Sequence, residues 1–95
     1  MTLQFINPEG LPAPRTYSHV VVATGTWMAF IAGQEPEDAE GNLVGPGDLA
    51  AQARQVFANL GRALAAAGAH PGQVAKITIY VAHHRPEHLP VIEQA

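Results

Sequence analysis

The feature that most constrains the fold is a single alanine-rich run between Gly47 and Gly68. Within it Leu49, Ala53, Val56, Phe57, Leu60, Leu64 and Ala67 recur at spacings of three and four. That period lines apolar side chains along one face of a helix. Gln52, Arg54, Gln55, Asn59 and Arg62 fall largely elsewhere. Asp48 follows a glycine and offers a carboxylate to the free amides of a first turn, so it reads as the N-cap. Gly68 stands where a left-handed residue would close the last turn. The pattern predicts a helix over 48–67. One apolar stripe has to be laid against something, and the flanking sequence supplies β-rich runs.

Leu3-Gln4-Phe5-Ile6 predicts a brief strand entering a turn at Asn7-Pro8-Glu9-Gly10, and Pro8, Pro12 and Pro14 keep the following path irregular. His19-Val20-Val21-Val22-Ala23 and Trp27-Met28-Ala29-Phe30-Ile31-Ala32-Gly33 flank Thr24-Gly25-Thr26, which predicts a hairpin. In 74–82, Ile77, Ile79 and Val81 alternate with Lys76, Thr78 and Tyr80, the period of a strand with one apolar face. Past His83, the segment Leu89 to Ala95 opens a second helix, in which Pro90 either sits in the first turn or forces a kink. The order β, hairpin, α, β, α predicts an α+β domain, its helices on one face of an antiparallel or mixed sheet and a right-handed crossover through the long helix. The other sheet face needs cover, which neighbouring copies in a dimer or trimer would supply.

Composition narrows the function. Ninety-five residues allow one domain, expected over 1–95. The five basic residues, Arg15, Arg54, Arg62, Lys76 and Arg85, are scattered in a chain of net charge −3, so no nucleic-acid footprint is expected. Without cysteine there is no disulfide, thiolate zinc site or cysteine nucleophile. No apolar run approaches the roughly 18 residues of a membrane span, and the N-terminus lacks the pattern of a signal peptide, so a cytoplasmic protein is expected.

Several clusters are weighed and set aside. Glu35, Glu37, Asp38 and Glu40 lack the ligand order of a calcium loop and read as a solvated acidic loop. His84 and His88 have the spacing of a zinc-hydrolase pair, but Glu87 adjoins the second histidine and Pro86 interrupts the segment. No metal is expected. Ser18 has no visible His-Asp partnership, and Trp27 and Phe30 are expected in a core or an interface.

Asn7-Pro8-Glu9-Gly10, Tyr17-Ser18, Ile31-Ala32-Gly33-Gln34 and above all Gln52-Ala53-Arg54-Gln55-Val56-Phe57-Ala58-Asn59-Leu60 resemble the Rid family (RidA, YjgF-like). The resemblance continues through Ala66-Ala67-Gly68 and Val74 to Val81. It implies a chorismate-mutase-like α+β fold, a homotrimer with clefts between subunits, and cofactor-free hydrolysis of 2-imino acids to 2-oxo acids and ammonia. It also implies a longer chain, so the last helix end and a final strand are expected to be missing here. Carried over residue by residue, Tyr17 matches the family's cleft tyrosine, and Gly33 with Gln34 matches the pair that presents main-chain groups. Ala32 occupies the position of the family's serine. Glu93 falls near a helix asparagine and becomes a candidate general base. The family's carboxylate-gripping arginine would lie beyond Ala95, and Arg15 is the candidate substitute within this chain. The expected set is thus Tyr17 and Glu93 as catalytic residues and Tyr17, Ala32, Gly33 and Arg15 as binding residues for a 2-imino or 2-oxo acid. A trimer that binds small metabolites without turnover is the alternative. A ribonuclease role, sometimes attached to relatives, runs against the charge.

Overall fold

Helix formation is decided at both ends of the alanine-rich run. The computed structural model describes residues 2–95; Met1, the first residue of the expected domain, lies outside the described residues. Strands β1 (Thr2–Ile6) and β2 (Val20–Thr24) are followed by helix α1 (Leu49–Ala66), a single 3-10 turn at Pro71–Gln73 and helix α2 (His88–Glu93). At the start of α1 the Asp48 carboxylate accepts from the Ala51 amide at 3.1 Å. At its end the Gly68 amide donates to the Ala65 carbonyl at 3.0 Å and the Ala69 amide to the Leu64 carbonyl at 2.9 Å. With Gly68 at φ +74, this is a Schellman closure of the last turn.

β1 and β2 pair antiparallel in the register Thr2↔Thr24 to Ile6↔Val20, and the Thr2 and Thr24 side-chain hydroxyls are hydrogen-bonded to each other. Just past the ladder, the His19 amide donates to Asn7 Oδ1 at 2.8 Å, which closes loop 7–19 at its neck. His19 Nε2 reaches across that loop to the Pro12 carbonyl at 2.6 Å.

Two expectations are corrected. The hairpin of 19–23 with 27–33 does not form, because β2 takes β1 as its partner and residues 27–33 run without regular structure. Residues 74–82 likewise join no ladder, so among the described residues the crossover through α1 has no second strand to reach. Alternation assigns side chains to faces but does not choose a pairing partner, which comes from elsewhere in the chain or from another chain. No main-chain to main-chain hydrogen bond engages 27–33 or 75–82 among the described residues. Trp27 is 94% exposed, Tyr80 93% and Phe30 88%.

The first half of α1 packs closely against the loop before it. Ala53 is the buried residue of that helix. Gly45, at φ +66, lies so close that an added Cβ would stand 2.7 Å from the Ala51 Cβ. On another side α1 packs against α2, where Pro90 sits in the first turn and costs no helical hydrogen bond. The molecule measures 42 × 33 × 17 Å with a radius of gyration of 15.3 Å, against about 12 to 13 Å for a compact chain of this size. It is a broad slab, consistent with its bare apolar side chains. Among the described residues no helix is long and apolar enough to cross a membrane.

Candidate functional site

A groove of about 760 Å³ opens where Gly33 and Gln34 lead into the acidic loop, with Gln55, Asn59 and Arg62 of α1 as its other wall. The loop is built from its own backbone: the Asp38 amide donates to the Asn42 carbonyl at 3.0 Å and the Val44 amide to the Pro36 carbonyl at 2.7 Å. Inside it Asp38 Oδ1 accepts from the Glu40 amide at 3.0 Å and from the Asn42 amide at 2.9 Å. This is the short-range capping for which aspartate is favoured in turns. The carboxylate is committed to main-chain amides.

Helix α1 then holds the loop. Asn59 Nδ2 donates to the Glu37 carbonyl at 2.9 Å and to the Glu35 carbonyl at 3.2 Å. Gln55 Nε2 donates to the Glu37 carbonyl at 3.2 Å and to Asn59 Oδ1 at 2.9 Å, and Arg62 Nη1 adds a 3.3 Å bond to the same oxygen. Two donors on Oδ1 leave Nδ2 facing the carbonyls. Above this clamp the Glu37 carboxyl titrates higher than an ordinary glutamate. The leading cause is its hydrogen bond with Glu35, followed by the Glu35 charge, partial desolvation and the Asp38 charge.

Of the five residues expected from the sequence, Gly33 lines this groove, whereas Tyr17, Ala32, Arg15 and Glu93 do not. An added Cβ at Gly33 would meet no atom within 4 Å, so its main chain stands open. Tyr17 is 58% exposed and stands edge-on to the His19 ring, with centroids 5.2 Å apart and planes at 84°. Ala32 is exposed and its carbonyl accepts from Gln34 Nε2 at 3.1 Å. Arg15 is exposed on the loop after β1, and Glu93 is the exposed last residue of α2. The structure therefore presents these groups on one open surface segment each, without gathering them. Residues the sequence reading assigned no role, Gln55, Asn59 and Arg62, form the built part of the groove. The signal was available in two carboxamides four apart with an arginine three further on, which share a helix face.

The histidines do not gather ligands: His84 and His88 rings lie 5.6 Å apart and tilted, and His88 Nδ1 accepts from the Arg85 amide at 3.1 Å. Among the described residues no three His, Cys, Asp or Glu side chains come together to hold a metal.

Comparison with known proteins supplies the kinship. The family profile described as Endoribonuclease L-PSP matches residues 9–93. A RutC family protein of Synechocystis is 35% identical over 83 residues, 85% of this chain and 62% of that protein. One from Pyrococcus horikoshii is 38% identical over 79 residues, 82% of this chain and 61% of that protein. The chain thus spans about three fifths of the length of the curated relatives it matches. The crystal structure of YyfB from Yersinia pestis, described as a conserved Rid family protein of unknown function, superposes with a TM-score of 0.81 at 39% identity. That match covers 97% of this chain and 71% of YyfB. With the α+β chain path and the family profile in agreement, the chain belongs to the Rid family.

Proposed function

We propose that this chain carries part of a cofactor-free deaminase site that hydrolyses 2-imino acids, and that copies of the chain complete the site by assembling as a homotrimer in the cytoplasm. In that reaction water adds to the carbon of the C=N bond, and collapse of the tetrahedral adduct leaves a 2-oxo acid and releases ammonia. The observation that carries the reading is the open main chain of Gly33 in the lining of the groove. Free peptide dipoles there can hold the attacking water or polarise the imine, provided that a second surface excludes bulk solvent. Trp27, Phe30 and Tyr80 are bare apolar side chains suited to bringing that surface up.

In this scheme Tyr17, its ring set by His19, orients the water through its hydroxyl. Arg15 pairs with the substrate carboxylate, Ala32 lines the cleft and Glu93 of one copy serves as general base for the site. The test is release of ammonia and 2-oxo acid from freshly generated 2-aminoacrylate. Tyr17→Phe should lower kcat/KM about tenfold, the worth of one hydrogen bond of about 1.5 kcal/mol. Equal rates with and without protein sink the reaction, and equal rates for Tyr17→Phe and wild type sink that residue's role.

Ala32 favours a second reading. It places a methyl group where the resemblance has a hydroxyl, so a trimer that binds 2-oxo acids without turnover is the competing assignment. Saturable binding in calorimetry with no ammonia released would select it. The family profile's label mentions an endoribonuclease, but a net charge of −3 and an acidic groove oppose a polyanion.

A further inference from the structure

We infer that Asn59 and Gln55 are positioning residues for the cleft: together they form a carboxamide clamp on the carbonyls of Glu35 and Glu37 that fixes where the Gly33-Gln34 main chain lies. The inference rests on the proposed deaminase reading for its kinetic part and on the hydrogen-bond geometry alone for its structural part. Asn59 Nδ2 spans both carbonyls, at 2.9 and 3.2 Å, while its oxygen receives Gln55 at 2.9 Å and Arg62 at 3.3 Å. Every atom of that amide has a task, so the side chain can neither rotate nor flip without losing bonds. The clamped carbonyls begin two residues after Gly33, and among the described residues no main-chain to main-chain hydrogen bond holds 27–33 on the other side. The clamp is therefore the nearest fixed point for the open peptide groups. It also explains why an acidic loop stays against the helix. Glu35 and Glu37 repel one another, and uncharged donors hold their main chain whatever the protonation of their side chains.

The decisive variant is Asn59→Asp, which keeps shape but turns the donating end toward two carbonyl oxygens as an acceptor. Protonation at acid pH restores one O–H donor. Amide hydrogen exchange on the full-length chain should show Asp38 and Val44 exchanging at least tenfold faster than wild type at neutral pH, with part of the protection returning at acid pH. The Gly68 and Ala69 amides, at the far end of α1, should be unchanged. Gln55→Leu, which removes one donor, should show a smaller rise at Asp38. With 2-aminoacrylate as substrate, Asn59→Asp should lose about tenfold in kcat with KM changed less than twofold, and should recover toward acid pH relative to wild type.

Unchanged exchange at Asp38 and Val44 overturns the clamp, as does an equal rise at Gly68 and Ala69, which would mean general unfolding. If exchange rises while kcat holds, the clamp does not position the site and the inference falls. If wild type shows no turnover, the deaminase reading fails on its own, and backbone 15N relaxation at Gly33 and Gln34 then decides: order parameters there unchanged in Asn59→Asp overturn the inference.

Discussion

Helix α1 with its preceding loop and the two segments 27–33 and 75–82 meet the same demand in opposite ways. In the first region polar groups find partners within the helix and its own loop: Asp48 caps one end, Gly68 and Ala69 close the other, and Gln55 and Asn59 take up loop carbonyls. In the second, main-chain groups have no main-chain partners among the described residues and large apolar side chains stand in solvent. A helix satisfies its backbone from within, whereas an extended segment needs a second strand or surface. The self-sufficient region therefore holds the groove, and the dependent regions present the surface for assembly.

This contrast can be broken most sharply at Trp27. If the bare segment is an interface between copies, Trp27→Asp should weaken self-association by about 2 to 4 kcal/mol, the range of an aromatic anchor. Light scattering at micromolar concentration would then show a smaller species. An unchanged assembly, or a wild type that is already a single copy, would remove the dependent half of the comparison. The self-sufficient half is tested at Gly45, where positive φ and the close Ala51 side chain leave no room for a methyl group. Gly45→Ala should cost about 1 to 3 kcal/mol, seen as a lowered Tm without loss of assembly. A Tm equal to wild type would show that the loop yields easily.

The smallest effect concerns pH. The Glu37 carboxyl titrates higher in the folded chain than in an unfolded one, so the folded state binds that proton more tightly. Stability of the loop should fall as pH rises from the ordinary glutamate range through the raised one. Exchange protection at the Asp38 amide, corrected for intrinsic rate, should be greatest at the acid end, and Glu35→Gln should flatten the trend. A slope that Glu35→Gln leaves intact would assign the effect to other groups.

Much of this was readable beforehand for local reasons. The expected helix 48–67 agrees with α1 within one residue at each end, because caps depend on adjacent residues, and the apolar run Leu3 to Ile6 lies within β1. The partner of β2 was not readable: 20–24 and 27–33 look like a hairpin in isolation, yet Thr24 pairs with Thr2, far away in the chain. The same limit applies to the groove. Gly33 was identified through the family motif, but Asn59 and Gln55 belong to the groove only because the loop folds back over α1.

The sequence by itself determined the long helix, its two caps, the acidic loop and the kinship, since each is written in spacings of a few residues or in a contiguous motif. Tertiary structure decided which strand β2 pairs with, that the carboxamides of α1 grip Glu35 and Glu37, and that Trp27, Phe30 and Tyr80 are left bare. Those outcomes depend on contacts between residues distant in the chain, where many pairings satisfy the same local pattern and only the assembled geometry selects one.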